Sequence, residues 1–105
     1  MYRVIGKIIK QNVADSFYSI TDSLVTEDIR LHWVQEYKET RKCISIDVVI
    51  SENQLELQTT QLWESQQSYL DYKNDATLIS GLFSVRDAYW AEHGITGVIV
   101  TEESI

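Results

Sequence analysis

The stretch from Cys43 to Ile50 narrows the choice of folds more than any other. It alternates Ile44/Ile46/Val48/Ile50 against Cys43/Ser45/Asp47/Val49, the period of two that marks a strand rather than a helix. Ser51-Glu52-Asn53-Gln54 follows as a polar link, and Leu55 to Trp63 resumes the alternation through Leu55, Leu57, Thr59, Gln61 and Trp63. Two such runs joined by so short a link predict an antiparallel hairpin. The rest of the chain has to be arranged around it.

Tyr2 to Ile9, rich in β-branched residues and bounded by Lys10-Gln11-Asn12, predicts a strand before the hairpin. Both of its alternating sets, Tyr2/Val4/Ile8 and Ile5/Ile9, contain apolar residues, which implies a sheet covered on both faces. Val13, Phe17, Ile20, Leu24 and Leu31 then fall near helical spacing, with Asn12 as the candidate N-cap of an amphipathic helix. The stripe weakens at Thr26-Glu27-Asp28, where Thr26 suits the cap of a second piece carrying Ile29, Trp33 and Tyr37. One bent helix and two short ones both fit.

After the hairpin, Ser65 is placed to cap a short helix over residues 66–72, with Tyr69 packing back toward Trp63. Lys73-Asn74-Asp75 breaks it. A longer helix follows from Ala76 to His93, with Leu78/Leu82/Val85/Tyr89 as one stripe, Ile79/Phe83/Arg86/Trp90 as its neighbour, and Gly94 as the stop. Ile95 to Glu102 predicts a last strand, with the acidic tail beyond it fraying. The order β, α, β, β, α, β is the split βαβ plait, an α+β ferredoxin-like fold with helices on one sheet face, and 105 residues suit one domain over 1–105. A chain this small has nothing left to cover the other face, so a homodimer with its two sheets face to face is expected.

Charge excludes some classes of function. Residues 1–42 hold 7 basic and 6 acidic groups, whereas 43–105 hold 2 basic and 10 acidic. Only Lys38, Arg41 and Lys42 cluster, so a nucleic-acid partner is not expected. No apolar run reaches membrane-spanning length, and the one at the N-terminus is too short for a signal peptide, which makes the cytoplasm the default location. Cys43 is the single cysteine and suits a buried strand position.

Gln58-Thr59-Thr60-Gln61-Leu62-Trp63-Glu64-Ser65-Gln66-Gln67-Ser68-Tyr69 resembles the strand, Trp-x-Ser and aromatic segment of the antibiotic biosynthesis monooxygenase-like family. Cys43-Ile44-Ser45-Ile46-Asp47 is similar to that family's strand after the first helix, and the element order matches over nearly the whole chain. The resemblance implies a dimeric α+β barrel with a cavity between helices and sheet in each subunit. Some members use it to oxygenate electron-rich polycyclic substrates without metal or flavin, and another branch binds and degrades haem. Trp63 carries over from the family motif. The first strand, Val4-Ile5-Gly6-Lys7-Ile8-Ile9, lacks the Asn that active members commonly place there, and no His between Gln66 and Glu92 offers an axial haem ligand. No cofactor is therefore expected.

Trp63 suits either the core or a flat wall on which an aromatic ligand stacks. Trp33, Trp90, Tyr89, Tyr69 and Tyr72 are expected to face the sheet and suit the same hollow. Arg86 falls on an apolar stripe, where a guanidinium needs a carboxylate or an anionic ligand, and Asp47 is the candidate partner. With both in a hollow, Arg86 would stabilise an enolate or phenolate while Asp47 orients the proton donor. His32 and Glu36 stand at i, i+4 without a third metal ligand, and His93, at a helix end, suits a surface position. No Ser/His/Asp set, Gly-rich phosphate loop or Cys-x-x-Cys spacing is present. Two functions fit: a small oxygenase acting on an aromatic or polyketide-like molecule, and a non-catalytic ligand-binding or assembly protein of the same fold. A hollow that reaches Trp63 and holds Arg86 or Asp47 favours the first.

Overall fold

The two alternating runs pair as their pattern requires. In a computed structural model that describes all 105 residues, β2 (Cys43–Ile50) and β3 (Glu56–Trp63) form an antiparallel hairpin, and β1 (Tyr2–Ile9) and β4 (Thr96–Ser104) complete one antiparallel sheet in the order β2-β3-β1-β4. α1 begins as an α-helix (Glu27–Trp33) and continues as a π-helical segment (Val34–Lys38). α2 is Gln66–Lys73. α3 covers residues 76–93, with a π-helical segment (Ile79–Phe83) between Ala76–Leu78 and Ser84–His93. This is the α+β ferredoxin-like plait. Ser65 Oγ accepts from the Ser68 N–H at 3.1 Å and caps α2, Asp75 caps α3, and Gly94 takes the left-handed φ of 65° that ends α3.

The expected helix from Asn12 does not form, so neither the bent helix nor the pair of helices is correct: residues 10–26 are irregular and only α1 is helical. Short polar side chains take the bonds a helix would need. Asn12 Oδ1 accepts from the Ala14 N–H at 3.0 Å, Ser16 Oγ from the Tyr18 N–H at 2.8 Å and Asp22 Oδ1 from the Leu24 N–H at 2.9 Å, which are turns that compete with helix. The apolar residues serve a strap instead, with Phe17, Tyr18 and Val25 buried. The strap is tied to α3 where the Ser16 N–H donates to Tyr89 Oη at 2.9 Å, Trp90 Nε1 donates to the Phe17 carbonyl at 3.1 Å, and His93 meets Asp15 at 3.2 Å. Buried Lys10 donates to the carbonyls of Val13 and Asp15 and lies over the Phe17 ring, so its charge is satisfied. Tyr18 adopts φ 55°.

The acidic tail does not fray. β4 runs to Ser104, opposite Tyr2, and the Ile105 N–H donates to the Met1 carbonyl at 2.9 Å. Glu102 accepts from the Tyr2 hydroxyl at 3.1 Å and Glu103 pairs with Arg3, so these acids hold the strand in place.

All helices lie on one face. A bulge leaves Ile44 without a partner opposite β3, so Cys43, opposite Trp63, shares the helix side with Ile46, opposite Gln61. One end of that side carries the large residues Tyr2 and Trp63, roofed by Tyr37, Tyr69 and Tyr72. Trp63 lies 5.0 Å from Tyr72, 5.7 Å from Tyr69 and 6.2 Å from Tyr37 between ring centroids and is 0% exposed. The middle of the sheet carries short side chains, with Gly6 opposite Thr59 on one side and Ile99 on the other. No helix is long and apolar enough to cross a membrane.

Candidate functional site

Large side chains at one end of the sheet and small ones at its middle leave a space beneath the helices. It measures about 620 Å³, within the range of small-molecule sites. Val4, Gly6 and Thr59 form part of its floor, Trp33, Leu82 and Phe83 its roof, and the strap adds Tyr18 and Ile20. Both π-helical segments contribute, through Lys38 and through Leu82 and Phe83. Such segments recur at functional sites because they re-aim side chains within a helix.

Arg86 faces this cavity. Its guanidinium carbon lies 4.5 Å from the centroid of the Trp90 ring and 5.1 Å from that of Phe83. The carboxylate beside it is Asp87, 3.4 Å from Nε and 67% exposed, and Asp87 is the one acidic residue lining the cavity. Asp47 is not its partner. Ile46 and Val48 line the cavity, whereas Asp47 between them, opposite Thr60, is exposed and does not. Trp63 forms no wall either, being sealed behind Tyr69 and Tyr72. Of the other aromatic residues expected there, Trp33, Trp90, Tyr69 and Tyr72 line the cavity, and Tyr89 packs on Tyr18 of the strap.

Several contributors carried no sequence motif. Gln61 sits on the floor of the cavity and accepts from Trp63 Nε1 at 3.1 Å. Lys38 and Lys73 stand at the rim, both exposed. Burial pushes the Tyr72 and Tyr69 hydroxyls each up to about 12, against an opposing pull from Arg86, and the Cys43 thiol up to about 11. All three stay protonated at neutral pH, so Cys43 is no nucleophile.

Behind the aromatic end, Asp75 Oδ1 accepts from the N–H groups of Thr77 and Leu78, while Oδ2 accepts from the Tyr37 hydroxyl at 2.6 Å and meets His32 Nε2 at 2.8 Å. His32 thus joins Asp75 rather than Glu36. Burial pushes the Asp75 carboxyl up, but its bonds to Tyr37, His32 and the Leu78 amide outweigh burial and hold it below the usual range.

No protein-family model and no curated protein matches the sequence. Among solved structures, the chain is similar over its whole length to a protein of Deinococcus radiodurans proposed as an antibiotic biosynthesis monooxygenase, covering 92% of that chain with a TM-score of 0.56 at 15% sequence identity. At that identity the likeness establishes a shared fold.

Proposed function

We propose that this chain binds an aromatic or polyketide-like small molecule in the cavity and acts on it as a cofactor-independent monooxygenase-like enzyme, with Arg86 facing the reacting oxygen. The observation that carries the reading is a space of about 620 Å³ with aromatic and aliphatic walls and one guanidinium set among them. A ring methylene beside a carbonyl is acidic, and loss of its proton leaves an enolate. A guanidinium clamped over Trp90 and Phe83 stabilises that oxygen without reorganising, and Asp87 is the carboxylate at hand to take the proton. The substrate supplies the electrons: CH₂ and O₂ become C=O and H₂O.

Anthrone, a tricyclic ketone with such a methylene, tests this through quenching of Trp33 and Trp90 fluorescence and through oxygen uptake above a buffer blank. The expected result is binding with uptake, and loss of about 10²-fold in turnover in Arg86→Gln, the order found for removing one oxyanion donor. Binding without uptake favours the second reading, a non-catalytic ligand-binding protein, to which the positions of Trp63 and Asp47 outside the cavity already lend weight. Absence of binding refutes the oxygenase reading.

The same reading includes a homodimer. The helix-free face carries Val49 and Val98, 66% and 52% exposed, together with Ile5, Ile9 and Leu62. Its charges are largely neutralised in place, Arg3 by Glu103 and Lys7 by Glu56 at 3.0 Å, so a second copy of the face meets little repulsion. Sedimentation equilibrium is expected to give twice the 12.2 kDa chain mass; a monomer at micromolar concentration refutes it.

A further inference from the structure

The polar groups around the cavity are unequal in kind. Of the nine basic residues in a chain of net charge −7, Lys38, Lys73 and Arg86 line it with their side chains, against Asp87 among sixteen acidic residues. Lys38 and Lys73 join no ion pair. The uncharged groups also lean toward donation. Tyr72 is packed against Trp63, Tyr37 and Phe83, yet its hydroxyl has no hydrogen-bond partner in the protein, and neither has that of Tyr69.

Gln61 is held in one orientation. An indole N–H can only donate, so the atom it meets at 3.1 Å is the amide oxygen. Trp63 thereby occupies the acceptor of Gln61 and leaves the NH₂ end of the amide for other partners. Trp63 is a positioning residue here, which gives its complete burial a role at the cavity it does not line.

We propose that the ligand of this cavity is an aromatic carboxylate, its carboxyl group received by Arg86 with the Tyr72 hydroxyl and the Gln61 amide as further donors, and drawn in by Lys38 and Lys73 at the rim. The inference rests on the cavity being a ligand site, as the proposed function has it, and not on oxygenation. A carboxylate, with about four acceptor positions on two oxygens, matches this number of donors better than a single phenolate oxygen. Cations at the rim of a cleft on an otherwise acidic protein focus the field on its mouth and raise the capture rate of an anion.

The test compares 2-naphthoate with 2-naphthamide, a neutral molecule of nearly the same shape, by isothermal titration calorimetry on the intact protein. Naphthoate is expected to bind about tenfold more tightly at low salt, the worth of one charge-assisted hydrogen bond. Arg86→Gln is expected to abolish the preference and Arg86→Lys to retain part of it, with circular dichroism confirming that both variants fold. Equal affinity for the two molecules overturns the anion inference and leaves the cavity as a ligand site. A preference that survives in Arg86→Gln overturns the role given to Arg86. Failure of both molecules to bind removes the ligand site itself, and the inference with it.

Discussion

Replacing a helical glycine by alanine ordinarily stabilises a protein by about 1 kcal/mol; at Gly81 the sign is expected to reverse. Gly81 lies in the π-helical segment of α3, and a Cβ there would stand 2.1 Å from Ile29 Cδ1 and 2.8 Å from Ile29 Cγ1 on α1. Rotating the terminal methyl aside clears only the first contact. Cγ1 is attached to a β-branched centre with little rotamer freedom in a helix, and Ile29 is buried, so the helices must separate. Overpacking of this kind costs about 1–3 kcal/mol, which after the propensity gain leaves Gly81→Ala less stable by up to about 2 kcal/mol. For a domain of this size that lowers Tm by up to roughly 10 °C.

Ile29→Ala removes both clashing atoms at a cost of its own of about 2–5 kcal/mol, and in that background Gly81→Ala becomes stabilising. The coupling in the double-mutant cycle is then about 2 kcal/mol, well beyond the roughly 0.5 kcal/mol within which independent sites add. Urea denaturation of the four proteins measures it. Additive free energies, or a single variant more stable than the parent, refute the claim that α1 and α3 touch at this point.

Gly97→Ala on β4 would place a Cβ 2.5 Å from Trp90 Cζ3 and 2.7 Å from Cη2; it is expected to cost about 1–2 kcal/mol, to break the Trp90 bond to the Phe17 carbonyl and to shift tryptophan emission, and to cost nothing in Trp90→Leu. The Asp75 carboxyl is held below its unfolded value, so its contribution is present above that value, near pH 4, and fades as pH falls through the lower folded value. The stability difference between the parent and Asp75→Asn is therefore expected to shrink in denaturant titrations taken from pH 6 to pH 3, and a difference independent of pH contradicts the assignment.

The strands were legible because alternation survives whatever packs on them: Tyr2–Ile9 and Cys43–Ile50 carry the bounds their patterns imply. α3 was legible from two long apolar stripes with a glycine after them. Residues 12–25 misled because Val13, Phe17, Ile20 and Leu24 keep helical spacing while Asn12, Ser16 and Asp22 close turns, and spacing alone does not weigh those bonds. Arg86 was recognisable as a charge on an apolar stripe. Its supposed partner Asp47 was not, since face membership depends on pairing, and the bulge at Ile44 shows how one unpaired residue resets it. Gln61 escaped notice because its importance comes from a hydrogen bond to Trp63 two residues on, and Lys38 and Lys73 because the rim they share is assembled from separate elements.

Tyr18 brings two demands into conflict at one residue. Its left-handed backbone, φ 55°, costs a side-chain-bearing residue about 1–2 kcal/mol, and the ring offsets this by packing, tilted, 5.4 Å from Tyr89 while its hydroxyl reaches the Leu24 carbonyl. Glycine would relax the main chain at once and enlarge the enclosure by a whole aromatic ring. Because Tyr18 lies outside every strand, exchange at this single site resets the volume of the cavity while leaving every strand pairing untouched.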